Sequence, residues 1–520
     1  MFSKRTLALL VGILAGAVIG STAAQESPIN LDNGYPSVGV DHPYAAFLQT
    51  RDYAISKGAT AEWRKLEWTA VDHANSKIYF AIARVGASMA DAEGDIQLPK
   101  NDCGVVLAGD LDADMNVTAL KPIIVGGPFT DNEDTQQQCA DNNVSEPDNL
   151  YVDPFGNLWI GEDTDRHVNQ YLWRWDGTEL KRFASVPTGA EVTGLFVSTA
   201  GTVFMNIQHP DAMNPYPFNQ GAVGVITGFN ASEDFESLAT PEGDDMNVVM
   251  TAVGGYQVLG RGSDLFPNNP EGQAVGAIET VNGDLQYVCN DPDANMFLPT
   301  NDAATEGYLY TNFECLPGGV SKLYIKQNAE GTWDTLQGNM VDFSPVRGTY
   351  WNCGASVTPW NTALTSEEYP ADTEADWGED FAPYIDLLRE NIGGEVNVWD
   401  YGYAVEIVPG SFGLDEVTKH YAMGRRSLEN ALVMADEKTV YFGDDGTDRV
   451  LSKFVADEAG DLSAGTLYAA KVTQTGDATG EYTFELEWIE LGHATNDEIY
   501  AAIRELDEAS AAMMVEVMGG

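Results

Sequence analysis

The stretch TVYFGDDGTDRVLSKFVAD, residues 439–457, joins one apolar run to a second through an acidic loop. The same phrase recurs five more times, and its first halves are KIYFAIAR (77–84), NLWIGEDTD (157–165), TVFMNIQHP (202–210), GYLYTNFECL (307–316) and TPWNTALTSEE (358–368). Such phrases form antiparallel β units, and their repetition is typical of blades around an axis. The sequence therefore predicts an all-β fold: a six-bladed β-propeller with short helices in insertions and at the termini.

The charge of the chain limits its partners. The 520 residues include 80 acidic and 27 basic ones, which gives a net charge of −53. Nucleic acid is excluded as a partner because binding to phosphate backbones needs a basic surface. The acidity has two readings that can hold together: a solvated surface suited to salty water, and sites for hard cations such as calcium.

The N-terminus resembles an export signal. Lys4 and Arg5 precede an apolar stretch from Leu7 to Ile19, and the small residues at 22–24 follow it. This arrangement predicts a signal peptide over residues 1–24, since the apolar stretch is short for a membrane span. An uncleaved anchor is the alternative. We expect a mature protein of residues 25–520, one propeller domain with a C-terminal helix, monomeric and free of the membrane in the periplasm or outside the cell.

Five cysteines are present, and an exported protein pairs them where it can. The pairings nearest in sequence are Cys103 with Cys139 and Cys289 with Cys315, although spacing alone does not fix connectivity. Cys353 is then left over. It is either a buried inert thiol or a soft metal ligand.

Acidic residues recur where the repeated strands begin and end. Each alone is typical of a solvated loop, but several that converge on one axis would repel one another unless cations lay between them. The pattern therefore predicts a centre with several metal ions. The acidic candidates are Glu67, Asp148, Glu368, Glu429, Asp444 and Asp445.

Oxygen ligands suit Ca²⁺, whereas a thiolate favours a softer or redox metal such as iron. Basic residues lie beside these candidates, and Lys65, Arg64 and Arg425 are the ones we assign to phosphate. They could equally balance the acids. The sequence contains no P-loop, no GxSxG and no HExxH, and none of its six histidines pairs at zinc spacing.

Several phrases together resemble the PhoX family of alkaline phosphatases. They are KLEWTAVD (65–72), EPDNLYVDPFGNLWI (146–160), NCGASVTPWNTALTSEE (352–368), YGYAVEIVP (401–409), GRRSLENALV (424–433) and VYFGDDGTDRVLSKFV (440–455). In the family the cysteine phrase comes before the EWT phrase, whereas here it comes after, so the order looks circularly permuted. The resemblance implies a six-bladed propeller with an iron–calcium cofactor that hydrolyses small-molecule phosphate esters outside the cytoplasm.

The resemblance also implies roles for single residues. Cys353 matches an iron ligand, and Glu67, Glu368 and Glu429 match acidic positions of the metal cluster. The remaining acids, Asp148, Asp444 and Asp445, match positions that we assign to calcium. Lys65 stands where the family has an arginine, with Arg64 next to it.

These observations lead to a phosphomonoesterase, with diesters as a second substrate class. Two alternatives use the same scaffold: a calcium-stabilised propeller that binds a ligand without catalysis, and a calcium-dependent hydrolase such as a lactonase. Both alternatives predict calcium without iron.

Overall fold

Strands dominate the computed structural model, which describes residues 29–30, 37–132, 135–369, 382–411 and 413–506. In chain order the strands are β1 Ile29–Asn30, β2 Ser37–Val38, β3 Leu66–Asp72, β4 Lys77–Ile82, β5 Val105–Asp110, β6 Ala119–Val125, β7 Pro147–Val152, β8 Leu158–Glu162, β9 Tyr171–Trp175, β10 Leu180–Ser185, β11 Glu191–Val197, β12 Val203–Gln208, β13 Ala222–Thr227, β14 Met250–Thr251, β15 Gly255–Arg261, β16 Ala277–Glu279, β17 Leu285–Val288, β18 Pro292–Pro299, β19 Glu306–Phe313, β20 Gly319–Gln327, β21 Trp333–Met340, β22 Asn352–Val357, β23 Ala363–Glu367, β24 Ala404–Val408, β25 Glu416–Lys419, β26 Leu428–Val433, β27 Thr439–Asp444, β28 Ser452–Glu458, β29 Asp461–Gly476 and β30 Tyr482–Thr495. The prediction of an all-β fold is confirmed.

Few α-helices occur in the part of the chain that the structure describes. They are α1 Ala45–Leu48, α2 Thr50–Ser56, α3 Ala382–Ile392 and α4, residues 496–506. Within these described ranges no helix is long and apolar enough to cross a membrane. The predicted signal peptide, residues 1–24, lies outside the described part of the chain.

The repeated phrases form antiparallel sheets of consecutive strands. Three of these sheets have the orders β11-β12-β13-β15, β18-β19-β20-β21 and β22-β23-β24-β25, and a fourth adds β14 to β10-β9-β8-β7. We call each set of successive strands a unit and its first strand the inner strand. The inner strands contact one another in a closed cycle: β3, β7, β11, β18, β22, β26 and again β3.

The first and last units share one sheet of order β26-β27-β28-β29-β30-β6-β5-β4-β3. β29 and β30 form a long hairpin. Near the beginning of β30, Phe484 pairs with Leu120 of β6. A pairing between Asp444 of β27 and Leu66 of β3 closes eight of these strands into a barrel. The chain thus joins its first unit to its last without leaving exposed edges between them.

Buried apolar side chains fill the space between successive units. Trp159 of β8, for example, meets Phe183 of β10 edge-on at 5.1 Å between ring centroids, in a cluster shared with Val203 and Met205 of β12. A buried side chain of this size contributes about 2–3 kcal/mol through removal of apolar surface from water. Packing of this kind holds the inner strands in register with one another.

The two ends of the described chain pack together. Phe47 and Leu48 of α1 lie in the same buried cluster as Ile499 and Ile503 of α4. Thr495 caps α4: its Oγ1 accepts from the Glu498 amide, and its own amide donates to Glu498 Oε2 at 2.9 Å. A C-terminal helix is thus present over residues 496–506, and adjacent ends are the arrangement that a permuted chain order requires.

Two disulfides join Cys103 to Cys139 and Cys289 to Cys315. Both are the pairings nearest in sequence. Cys353 is the free cysteine and is buried.

Candidate metal centre

Five of the inner strands carry a metal-ligating residue type at their second position. These residues are Glu67, Asp148, Asp293, Cys353 and Glu429. In each strand the register with its neighbour slips directly after the first residue. A β-bulge bends the strand and changes the direction of the side chain within it. The same irregularity therefore makes all five side chains depart from the regular alternation of a β-strand.

The remaining inner strand, β11, departs from this pattern. Its second residue is Val192, its register slips later, between Thr193 and Phe196, and its acid is the first residue, Glu191. Of the six inner strands, β11 is therefore the one that departs from the pattern.

A second set of polar residues follows directly after the second strand of a unit. Its members are Asp163 after β8, His209 after β12, Glu314 after β19, Glu368 after β23 and Asp445 after β27. Because the first residue of an inner strand pairs with the last residue of the neighbouring strand, this set lies beside the inner ring. The two sets place carboxylates, one imidazole and one thiol at one end of the fold.

Cys353 is shared by two groups of converging ligands. Its Sγ, Glu368 and Glu429 offer atoms that all lie within 4.8 Å of one another. The same holds for Cys353 with Asp293 and Glu314, and all five residues are buried. The thiol donates to Glu429 Oε1 at 3.2 Å.

A third group consists of Asp148, Asp163 and Glu191, whose carboxylate oxygens also lie within 4.8 Å of one another. Glu191 in addition contacts His209, whose Nε2 is 2.9 Å from Glu191 Oε2. Cys289, Asp291 and Cys315 show similar spacing, but both sulfurs are consumed in a disulfide. That last set is therefore not a ligand group.

The carboxylates and the thiol of this centre make the ionisation of one another less favourable. Burial raises the pKa of Glu67 well above its ordinary value, and the nearby Asp445 raises it further. The pKa of Glu429 is raised by burial and then by Asp148 and Glu67. Burial, Asp293 and Glu368 likewise raise the pKa of Cys353. Cations between these groups would remove the repulsion and favour the ionised forms.

Lys65 is the cation nearest the acids of this ring. Its Nζ lies 2.5 Å from Glu67 Oε1, 3.7 Å from Asp445 Oδ1 and 4.0 Å from Asp163 Oδ2. Burial alone would lower the pKa of Lys65, but Asp445 and Glu67 outweigh burial and raise it well above its ordinary value. The two acids therefore favour the charged form of Lys65.

Strained backbone conformations occur beside the same strands. Left-handed φ angles occur at Lys65 (52°), Glu146 (46°) and Trp351 (41°), each directly before an inner strand. His209 (37°) and Tyr369 (51°), which follow second strands, share this conformation. It is uncommon for residues other than glycine and is often retained at functional sites, where the surrounding structure enforces it.

Neighbouring units approach closely at this end. A Cβ on Gly354 would lie 1.7 Å from the carbonyl oxygen of Glu429, and one on Gly443 would lie 1.8 Å from that of Glu67. Only glycine allows the backbone of one unit to come this near the ligand-bearing strand of the next.

The predicted site residues divide into groups. Glu67, Cys353, Glu368, Glu429 and Asp445 lie at the centre and contact one another or Lys65. Asp148 joins the group with Asp163 and Glu191, and it also takes a hydrogen bond from Asn149 at 2.8 Å.

Asp444 and the two predicted arginines, Arg64 and Arg425, are not members of these ligand groups. Asp444 Oδ1 is 3.9 Å from Arg449 Nε. Arg64 Nη1 is 3.6 Å from Asp102 Oδ1, and burial lowers the pKa of this arginine. Arg425 packs over the Trp399 ring and donates from Nε to the carbonyl of Tyr401 at 2.9 Å. The assignment of both arginines to phosphate stays a prediction.

Glu191, Asp293 and Glu314 belong to these ligand groups, although none of them is among the candidates predicted from the sequence. The signal for Asp293 is present: the Pro292-Asp293 pair opens its strand just as Pro147-Asp148 does. Glu314 follows an apolar run in GYLYTNFECL, but that phrase draws attention to its cysteine instead.

An all-β scaffold whose repeated units deliver buried carboxylates and a thiol to one end defines a candidate metalloprotein. The chain belongs to the PhoX family of alkaline phosphatases, because the family described as alkaline phosphatase PhoX matches residues 25–211 and 321–517. The match falls in two segments, which agrees with the permuted order of the phrases. Membership supports a phosphatase that acts on small-molecule phosphate esters.

Other comparisons are less specific. No curated protein sequence matches the chain significantly. Among solved structures, an α-L-arabinanase from Penicillium chrysogenum is 9% identical with a TM-score of 0.36, and the match covers 83% of this chain and 97% of that one. The Dos1 propeller (10%, 0.33, covering 83% and 94%) and the β-propeller domain of the Trilobed protease from Pyrococcus furiosus (8%, 0.29, covering 84% and 98%) are similar at the same level. TM-scores this low do not bear on function.

Proposed function

We propose that this protein is an exported phosphatase that hydrolyses phosphate monoesters, with diesters as a second substrate class, at an iron–calcium centre. The observation that carries the proposal is the convergence of Cys353, Glu368 and Glu429, three buried ligand atoms from two units within 4.8 Å. Family membership supplies the reaction class.

The donor set fits such a centre. Asp148, Asp163 and Glu191 offer oxygen ligands alone, which suit Ca²⁺. The group around Cys353 adds a thiol, which suits iron. The raised pKa values of Glu67, Glu429 and Cys353 support cation binding, since a bound cation relieves the mutual repulsion that raises them.

When bound, the ions would supply Lewis acidity for the phosphoryl group. The chain's own contribution is positioning and positive charge. Lys65, which lies between Glu67 and Asp445, can hold a phosphoryl oxygen and stabilise the charge that develops during displacement. Arg64, next to it in the chain, presents a guanidinium with a fork of donors that matches phosphate oxygens.

We further propose that the six antiparallel units are the blades of one propeller, and that the chain order is circularly permuted. The closed cycle of inner strands supports the first statement. Packing of α1 and α4 in one cluster supports the second, because it brings the two ends of the described chain together.

Export to the periplasm or the cell exterior is part of the proposal. The two disulfides support an oxidising compartment. The charge pattern at residues 1–24 provides the expected route.

The test is hydrolysis of a chromogenic phosphate ester by purified protein before and after chelation, and again after Ca²⁺ and iron are restored. We expect activity that chelation abolishes and that requires both metals for recovery. Glu368→Gln should lose about a hundredfold in kcat/KM, whereas the surface variant Asp110→Asn should not, since Asp110 is 83% exposed. Activity that survives complete metal removal would contradict the proposal. Activity that returns with calcium alone would favour a calcium-dependent hydrolase.

A further inference from the structure

The disulfide between Cys289 and Cys315, which we call the fourth-unit disulfide, borders the ligands around Cys353. Cys315 directly follows Glu314, and Cys289 lies just before β18, whose second residue is Asp293. Glu314, Asp293 and Cys353 are buried and offer ligand atoms within 4.8 Å of one another. The covalent bond therefore joins the two segments that carry two of these three ligands.

Glu314 lies beyond the hydrogen-bonded ladders of its own unit. The pairing of β18 with β19 ends at Pro292 and Phe313, and the pairing of β19 with β20 ends at Phe313 and Gly319. The Glu314 amide donates to the carbonyl of Asp291 at 3.0 Å. Residues past the end of a ladder open locally more easily than the strands themselves. The disulfide at the next residue restrains this ligand against such opening.

Backbone hydrogen bonds lead from the disulfide to the next unit. The carbonyl of Cys315 accepts from the Trp351 amide at 2.6 Å, and the carbonyl of Trp351 accepts from the Glu368 amide at 3.0 Å. Trp351 directly precedes β22, whose second residue is Cys353. Its left-handed φ of 41° is a conformation that the surrounding structure must enforce. The disulfide thus supports the backbone at both Cys353 and Glu368.

The turn that follows the disulfide, residues 315–318, is held on two sides. The Tyr287 hydroxyl donates to the carbonyl of Pro317 at 2.6 Å. The Gly318 amide donates to the carbonyl of Thr349 at 2.9 Å, in the segment that leads into β22. Movement of this turn would therefore displace the strand that carries the thiol.

The other disulfide borders a different ligand group. The carbonyl of Cys103 accepts from the Glu146 amide at 3.0 Å, and Glu146 lies just before Asp148. The bond from Cys103 to Cys139 is thus next to the oxygen-only group. The sequence separations of the two disulfides are 36 and 26, so both restrict the unfolded chain to a similar degree.

We propose that the fourth-unit disulfide and the turn after it position the iron ligands, so that the affinity for iron depends on this disulfide. The proposal rests on the proposed function, because it takes Cys353 and the carboxylates around it as the iron ligands. The disulfide holds Glu314 directly and Glu368 through the backbone of Trp351. Ligands that are fixed in place before the ion binds lose less conformational entropy when it does.

The first experiment measures how much iron the metal-loaded protein retains during competition with citrate, by mass spectrometry of the desalted protein. The double variant Cys289→Ala with Cys315→Ala should release iron at about tenfold lower citrate concentration than the wild type. Cys103→Ala with Cys139→Ala is the matched control. It should lose a similar amount of thermal stability but retain iron like the wild type.

Two results of this competition would overturn the proposal. One is equal iron retention in the wild type and the variant without the fourth-unit disulfide. The other is equal loss of iron from both double variants, because iron retention would then follow stability alone. A wild-type protein that takes up no iron would refute the iron–calcium centre, and this inference with it.

A milder pair of variants tests the turn with both disulfides intact and decides the matter if the first double variant does not fold. Tyr287→Phe removes the hydrogen bond to Pro317 and should weaken iron retention about threefold. Tyr256→Phe is its control, since the Tyr256 hydroxyl donates to the carbonyls of Met205 and Ala222 at 3.2 Å within the third unit. Equal iron retention by these two variants would contradict the proposal.

Discussion

The thiol of Cys353 donates a hydrogen bond of 3.2 Å to Glu429 Oε1, although the two residues lie 76 positions apart and on inner strands of different units. Each is the second residue of its strand and follows the same register slip. Residues at equivalent positions of two units thus lie next to each other. Together with Glu368, Cys353 and Glu429 would hold the proposed iron ion.

Replacement of Cys353 distinguishes its two possible roles, as a metal ligand or as a buried inert thiol. We expect Cys353→Ala to lose its iron, to retain calcium at the Asp148 group and to lose about a hundredfold in kcat/KM. Metal content by mass spectrometry and hydrolysis of a chromogenic ester are the measurements. A variant that keeps both iron and activity would show that the thiol only packs.

Lys65 places a positive charge among the acids of the centre. We expect both this charge and the geometry of the lysine donor to affect kcat. Lys65→Gln should lower kcat by about a hundredfold, whereas Lys65→Arg should retain more activity because the charge remains. Steady-state kinetics on both variants, with circular dichroism as a check on folding, provide the measurement. Equal activity in Lys65→Gln and wild type would remove Lys65 from the site.

The acids of the centre make the metal-free protein sensitive to pH. The pKa values of Glu67 and Glu429 are raised above their ordinary 4.5 in the folded protein, so the folded state holds protons that the unfolded state releases. Their contribution to stability is complete below pH 4.5 and is lost as pH rises through the folded pKa.

The Tm of the chelated protein should therefore fall between pH 5 and pH 8, and restored calcium and iron should flatten this dependence. Differential scanning calorimetry at several pH values, with and without chelator, tests this expectation. Identical slopes in the two series would mean that cations do not bind between these acids.

Gly354 keeps two units close together beside the ligands. In Gly354→Ala the new Cβ would meet the Glu429 carbonyl oxygen at 1.7 Å, so the two strands must separate. We expect a loss of about 1–3 kcal/mol in the free energy of unfolding, together with weaker metal retention. Gly394→Ala is the control because a Cβ there meets nothing within 4 Å. Urea unfolding of both variants gives the comparison, and equal stabilities would contradict the close approach.

Much of the centre could be predicted from the sequence because its residues lie at repeated strand ends. The pattern indicates Glu67, Glu368 and Glu429, whereas the ligand role of Cys353 follows only from the family resemblance, and the structure brings all four to one end of the fold. Asp293 was missed because its phrase differs from the others, although it opens with the same Pro-Asp pair.

Other features depend on packing that a local pattern does not contain. Arg425 is one of two consecutive arginines beside Glu429, and the local sequence does not show that its guanidinium packs over the Trp399 ring. The three cations beside Asp102 likewise come from the segment before β3 and from the connections after β4 and β8, which only the folded chain brings together.

The most direct test of the iron–calcium centre is a crystal structure of the metal-loaded protein with anomalous data at the iron edge. We predict an iron peak in contact with Cys353 Sγ and with carboxylate oxygens of Glu368 and Glu429, and calcium density at the Asp148 group. A fully loaded crystal with no anomalous peak beside Cys353 would contradict the account.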